Sequence, residues 1–331
     1  MSCSFKKLLL VGAIILPILS GLFCLYTHNK PAVSLDTVFV VEKGDGVSVI
    51  FQNLTADRLL SMNGAVFKAM ALFSKYKGPI KAGQYQLREG MSGQELLSLF
   101  RSGKVIQYNI VFPEGLRVGE WLSILQNAPH LEVKSAGLTT HEVALALGLS
   151  KPLEGLLFPD TYSYSHGDSD LDILSRAVTQ MNKVLKKEWE DRTDANLLNP
   201  TEALVLASII EKETGYGPDR SKVASVFHNR LEADMRLQSD PTVIFGLGNR
   251  FDGDLKRSHL KTDTPYNTYT RAGLPPGPIC SPGLASINAA LRASSHPYFY
   301  FVAMGNGRSF FSVSLSDHNQ AVKRYQKGQN Q

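Results

Sequence analysis

The stretch from Asn199 to Gly215, NPTEALVLASIIEKETG, constrains the fold more than any other. Asn199 is a capping residue, Pro200 suits the first helical position, and Glu202 stands three residues after the cap. Between Ala203 and Ile210 only Ser208 interrupts an apolar run. A helix that is apolar nearly all round belongs in an interior. Thr214-Gly215 is its stop. Glu211 and Glu213 therefore stand at the end of a buried helix, where a carboxylate is costly unless it has a partner or a task. Two residues apart, they point about 200° apart around the axis, so they do not form a facing pair. One faces a cleft, and the other faces a structural partner or solvent.

A chain of 331 residues has room for two domains, and 43% apolar with 20% charged residues describes a folded protein. The formal charge of +5 is ordinary for this length. No basic stripe with interleaved aromatics occurs, so nucleic acid is not expected as a partner. Lys6 and Lys7 precede Leu8–Tyr26, a 19-residue stretch without charge, long enough to span a bilayer. The lysines orient the N-terminus to the cytoplasm and the bulk of the chain outside. A cleaved signal peptide is the alternative, but the apolar run is longer than a usual signal core and no small-x-small site closes it. Phe23 before Cys24 argues against a lipid-attached cysteine. Cys280 is the only cysteine of the exported part, which leaves no intramolecular disulfide there. It reads as a small residue rather than a nucleophile, with no local His or base.

The expected fold class is α+β. Residues 1–7 are a cytoplasmic N-terminus, 8–26 a transmembrane anchor and 27–35 a linker. Residues 36–115 alternate short strands and helices: strands at 37–41, 83–87 and 105–112, helices at 47–62 and 66–76, and a further helix opening at Ser92. The passage from strand through Gly44-Asp45-Gly46 into a helix resembles LysM, a glycan-binding module, and a structural spacer is the alternative. Residues 116–150 read as a mainly helical bridge, and 151–331 as a larger mixed α+β domain. Within it, 155–162 is turn-like, 171–192 and 221–235 are helices, and 298–304 with 309–314 form a hairpin. His228 reads as a surface or hydrogen-bonded residue. No second His or Cys stands at ligand spacing, so neither metal nor other cofactor is expected.

Three clusters downstream of Glu213 carry chemistry. Gln238-Ser239-Asp240 sets an amide, a hydroxyl and a carboxylate in succession, with Pro241 disfavouring helix at Asp240. Tyr266-Asn267-Thr268-Tyr269 follows, and Gly273 to Ile279 is too rich in Pro and Gly for a helix or central strand. Aromatic faces, amides and hydroxyls suit a polysaccharide groove; an ordinary polar loop network is the other reading. Glycoside cleavage commonly needs two carboxylates, here Glu213 as acid and Asp240 as the second group. A different route needs one. A single carboxyl protonates the leaving oxygen and then takes a proton from a sugar hydroxyl, closing a ring without water. Such a group must stay protonated near neutral pH, which an apolar wall favours. Glu213 fits that requirement.

The runs Ala207 to Thr214, Lys222 to Leu231 and Met235 to Ile244 closely resemble the endolytic murein transglycosylases, the YceG-like family. Phe158-Pro159-Asp160-Thr161, Tyr266 to Tyr269 and Gly273 to Ile279 match as well, so the resemblance covers nearly the whole chain. It implies a peptidoglycan lytic transglycosylase, a lyase that cuts nascent glycan strands between N-acetylmuramic acid and N-acetylglucosamine. The product would carry a 1,6-anhydro-N-acetylmuramic acid end, and strand elongation would terminate. The family's catalytic glutamate maps to Glu213, on a helix resembling that of lysozyme-like transglycosylases. Glu211 and Thr214 become supporting or structural residues, and Gln238, Ser239, Asp240, Tyr266, Asn267 and Tyr269 become groove residues. The implied setting is the inner membrane with the catalytic domain in the periplasm, and glycan synthases such as penicillin-binding proteins are implied partners. A two-carboxylate muramidase and a non-catalytic glycan-binding scaffold are the rival readings.

Overall fold

The computed structural model describes residues 31–73, 78–193, 199–292 and 294–327. The expected anchor at 8–26 lies outside the described residues; among the described residues no helix is long and apolar enough to cross a membrane. Among the described residues, twelve α-helices and three two-stranded sheets give a mixed α+β fold. Two compact units emerge. The first runs to Tyr108 and includes His130–Glu132 and Ser163–Asp168; the second comprises Asn109–Pro129, Val133–Tyr162 and the chain from Ser169 onward.

In the first unit the order is β1 (Thr37–Val41), α1 (Val47–Ala56), α2 (Gly64–Phe73), β2 (Gly83–Leu87) and α3 (Gly93–Ser102). Strands β1 and β2 pair antiparallel with Phe39 opposite Tyr85. Alternation turns Phe39, Val41, Tyr85 and Leu87 inward, onto Ile50, Leu54, Phe67 and Phe100. Ser92 and Glu95 cap α3 reciprocally, as their spacing predicts. The helix expected at 47–62 stops at Ala56, because Arg58 takes a left-handed conformation, φ 57°, that turns the chain.

Strand β3 (Tyr108–Val111), helices α4 (Val118–Gln126) and α5 (Thr140–Ala146), and strand β4 (Thr161–Tyr164) follow, β3 pairing with β4. The bridge expected to be mainly helical is so only in α4 and α5. Pro129 and the left-handed Gly137, φ 77°, interrupt it. The end of the segment expected as a turn, 155–162, enters β4.

The second unit continues with α6 (Asp170–Glu190), α7 (Pro200–Glu213), α8 (Gly217–Glu232), α9 (Asp240–Leu247), α10 (Arg257–Lys261), α11 (Leu284–Leu291), the hairpin β5 (Tyr300–Ala303) and β6 (Ser309–Ser312), and α12 (Leu315–Val322). Helix α7 is its axis, packed against α6, α8, α9 and α11. Asn199 caps it through Glu202 N–H at 3.0 Å, and every residue from Ala203 to Ile210 is buried. Its one polar interior residue, Ser208, donates to Val205 O at 2.7 Å and accepts Ile279 N–H at 3.0 Å, which ties the Gly273–Ile279 loop to the helix. Cys280 is buried beside it, and burial pushes its thiol well above the usual range. His228 is buried too, donating from Nε2 to Ala290 O at 2.9 Å between α8 and α11. One expectation is overturned. Asp240 begins helix α9, and Pro241 sits in its first turn, where a missing N–H breaks no intrahelical bond.

Because Ile209 is fully buried in α7, truncating it opens a cavity in the second unit's core. We expect Ile209→Ala to lower the stability of that unit by about 2–5 kcal/mol, read from urea denaturation.

Candidate active site

Glu213 is the last residue of α7, and its side chain lines a cavity of about 460 Å³. Arg230 from α8, Gln238, Asp240 at the start of α9, Tyr269 and residues of β5 and α12 complete the walls. Burial against the helix end is the main influence on Glu213 and raises its carboxyl from 4.5 to about 7. The hydrogen bond from Ser239 opposes that rise, the negative charge of Asp240 adds to it, and Arg230 opposes it. Ser239 Oγ donates to Glu213 Oε1 at 2.5 Å.

Ser239 is held in place by a network of its own. Gln238 adopts a left-handed backbone, φ 50°, which a non-glycine residue takes at a cost of roughly 1 kcal/mol. Its N–H donates to Thr268 O at 3.2 Å, and Ser239 N–H donates to Thr268 Oγ1 at 2.9 Å. Thr242 Oγ1 donates to Ser239 O at 2.7 Å and lies 2.9 Å from Thr268 Oγ1. Arg230 closes the arrangement. Its Nη1 donates to Leu237 O at 2.7 Å, one residue before the left-handed turn, and its Nε donates to Phe299 O at 2.8 Å. The buried guanidinium thus joins the turn to the chain entering β5 while keeping a cation near Glu213.

Of the residues read from the sequence, Glu213, Gln238, Asp240 and Tyr269 line this cavity, and Ser239 joins them through its bond to Glu213. Tyr269 donates its hydroxyl to Asp240 Oδ1 at 2.6 Å, and burial followed by that bond pushes the phenol's pKa up. Two groove candidates lie elsewhere. Asn267 has no exposed surface; it donates to Leu260 O at 3.1 Å and Thr262 O at 2.8 Å and accepts Tyr269 N–H at 2.8 Å, so it shapes the loop that presents Tyr269. Tyr266 packs on Phe245, ring centroids 4.7 Å apart, and lines a separate cavity. Glu211 points away from Glu213, accepting Gly283 N–H at 3.0 Å with Arg220 at 3.7 Å. Thr214 is buried and accepts Tyr216 N–H at 3.1 Å, turning the chain out of α7. Arg230 and His318 are cavity residues the sequence reading left out. The signal for Arg230 was present: it falls seven after Val223, four after Val226 and three after Phe227, on the apolar stripe of α8.

The YceG-like family's sequence profile matches residues 39–324. The chain belongs to the YceG-like family. A Bacillus subtilis protein named endolytic murein transglycosylase is 30% identical over 311 residues, covering 88% of this chain and 85% of that protein. A Streptococcus pneumoniae protein of the same name is 27% identical over 86% of this chain, which spans 57% of that relative's length. The crystal structure of a YceG-like protein from Listeria monocytogenes, 28% identical, superposes with a TM-score of 0.53 and covers 86% of this chain and 98% of that one. All the cavity residues discussed above fall inside the family match, whereas Leu8–Tyr26 falls outside it.

The raised carboxyl has a consequence for stability. Glu213 binds its proton more tightly in the folded chain, so stability falls as pH rises from about 4.5 through about 7 and levels off above. Glu213→Gln lacks that loss. Its stability relative to wild type should therefore increase between pH 5 and pH 8, by up to about 3 kcal/mol, in denaturant titrations at the two pH values.

Proposed function

We propose that this chain is an endolytic murein transglycosylase with Glu213 as its single acid–base catalyst. The observation that carries the reading is the poise of Glu213: burial brings its carboxyl to about 7, while Ser239 and Arg230 favour the carboxylate. A group that must first give a proton and then take one back works best with a pKa near the operating pH. Glu213 protonates the glycosidic oxygen between N-acetylmuramic acid and N-acetylglucosamine, and the C1–O4 bond breaks. The Glu213 carboxylate, steadied by the Ser239 hydroxyl, then removes the proton from the muramyl C6 hydroxyl. O6 bonds to C1, the 1,6-anhydro ring closes, and Glu213 is protonated again. No water enters the product. Gln238, Asp240 and Tyr269 line the groove and contact the sugars.

The names of the B. subtilis and S. pneumoniae relatives support the substrate and the reaction. Further parts of the proposal rest on the sequence. Leu8–Tyr26 anchors the chain in the inner membrane, with the remainder in the periplasm, at the height where new glycan emerges and close to penicillin-binding proteins. The first unit acts as a LysM-like glycan-holding module; β1 passing through Gly44-Asp45-Gly46 into α1 supports that part. The lysozyme-like character proposed for α7 is supported by its apolar length and by the carboxyl at its end. Asp240, in the same cavity and held by Tyr269, favours a second reading in which it guides a water and the enzyme is a muramidase.

Mass spectrometry of muropeptides released from purified sacculi separates these readings. Wild type should release products lighter by one water than hydrolytic ones, and Glu213→Gln should release none. Ser239→Ala removes the bond that lowers the Glu213 pKa, so its alkaline limb of kcat/KM should move to higher pH, with activity at pH 7 reduced roughly 10- to 100-fold. Hydrated reducing ends would establish the muramidase instead, and unaltered release by Glu213→Gln would exclude both.

A further inference from the structure

Tyr266, one of the expected groove residues, lies away from Glu213. Tyr266 and the Pro276-Gly277-Pro278 part of the loop line a second cavity of about 610 Å³, within the usual range for small-ligand sites. It lies by the N-terminal half of α7, at Pro200, Thr201 and Leu204, and shares no lining residue with the Glu213 cavity. Its walls are built closely. Gly155, at φ 76°, lets Pro278 approach so near that a Cβ at 155 would stand 2.3 Å from the proline ring, and a Cβ at Gly277 would stand 3.1 Å from the Tyr266 hydroxyl.

Leu156, Leu185 and Leu204 give the lining an aliphatic side, and its charged residues are Glu154, half-buried, and Lys151, which is exposed to solvent. The Glu154 carboxyl accepts Val118 N–H through long contacts of 3.3 and 3.4 Å, and the backbone N–H of Gly155 also favours its charged form. Among the described residues no ion pair reaches it, although burial raises its carboxyl to about 7. Arg117, whose charge favours the Glu154 carboxylate, is set over the Phe245 ring at 5.2 Å. Tyr266 adds a hydroxyl that makes no hydrogen bond among the described residues, and Glu154 acts on it electrostatically. A carboxyl with unused acceptor capacity beside aliphatic side chains complements a cation on an alkyl chain, whose charge would favour the ionised form of Glu154. We propose that this cavity binds an aliphatic primary ammonium group, with the cation at Glu154 and the chain along Leu156, Leu185 and Leu204. The ammonium could come from a free diamine or from an amine-bearing peptide, and the site stands whether or not the transglycosylase reading holds.

Isothermal titration calorimetry on the full chain in detergent tests this, with pentane-1,5-diamine, a lysine-ended tripeptide, and pentan-1-ol as neutral control. Saturable binding of the diamine or the tripeptide is expected, with the tighter of the two identifying the source. Glu154→Gln should weaken it roughly tenfold or more, Leu185→Trp should abolish it by filling the cavity, and Glu213→Gln should leave it intact. If Leu185→Trp does not fold, Glu154→Gln decides. Absence of saturable binding by wild type, equal binding by Glu154→Gln, or pentan-1-ol binding as tightly as the diamine would overturn the proposal.

Discussion

A carboxyl at the end of an interior helix is the constraint on which the second unit depends. Helix α7 is buried from Ala203 to Ile210, so the chain leaves it at Glu213 already deep in protein. Desolvation drives the proton onto Glu213. Left alone, that drive would fix the group in its neutral form. The bond from Ser239 and the charge of Arg230 draw it back toward a pKa at which both protonation states are within reach. The left-handed turn at Gln238, the Thr242–Thr268 hydroxyl pair and the Arg230 tether to Leu237 all serve to hold one hydroxyl against one carboxylate oxygen. Strain at Gln238 is tolerable because so many bonds over-determine the turn.

The same helix organises the far end of the unit. Ser208 is its only polar interior group, and both of its hydrogen-bonding roles are used, one of them to seat Ile279. That loop sets Pro278 against Gly155, and Pro276 to Pro278 line the second cavity. Carboxyls thus lie toward both ends of α7, Glu213 at its C-terminus and Glu154 in the cavity by its N-terminal half, both raised by burial to about 7. Glu213 accepts a hydrogen bond from a hydroxyl, that of Ser239. Glu154 has backbone amides and aliphatic neighbours instead, which suits it to holding a ligand rather than moving a proton.

Much of this was legible in the sequence where local rules and burial agree. The cap at Asn199, the apolar run and the stop at Gly215 define α7, and the two-residue spacing separates the fates of Glu211 and Glu213. The Ser92–Glu95 cap and the hairpin around Gly305 to Gly307 follow from equally local chemistry. What sequence reading missed depends on long-range packing. Tyr266 and Tyr269 are three residues apart and chemically alike, and only the turn pinned by buried Asn267 sends them to different cavities. Pro241 forbids helix before itself only when Asp240 needs an interior position; as an opening residue it does the reverse. Arg230 carries no motif signal of its own, although its place on the apolar stripe points inward.

The protonation state of Glu213 is the most direct test of the account. Carbon NMR of the chain labelled at the glutamate side-chain carboxyl carbon, assigned by comparison with Glu213→Gln, would follow that group from pH 4 to pH 9. A midpoint near 7 is expected for the Glu213 resonance, set by burial at the end of α7. A midpoint in the ordinary carboxylate range, about 4.3, would contradict it, because the carboxyl would then be ionised at neutral pH and unable to serve as the acid.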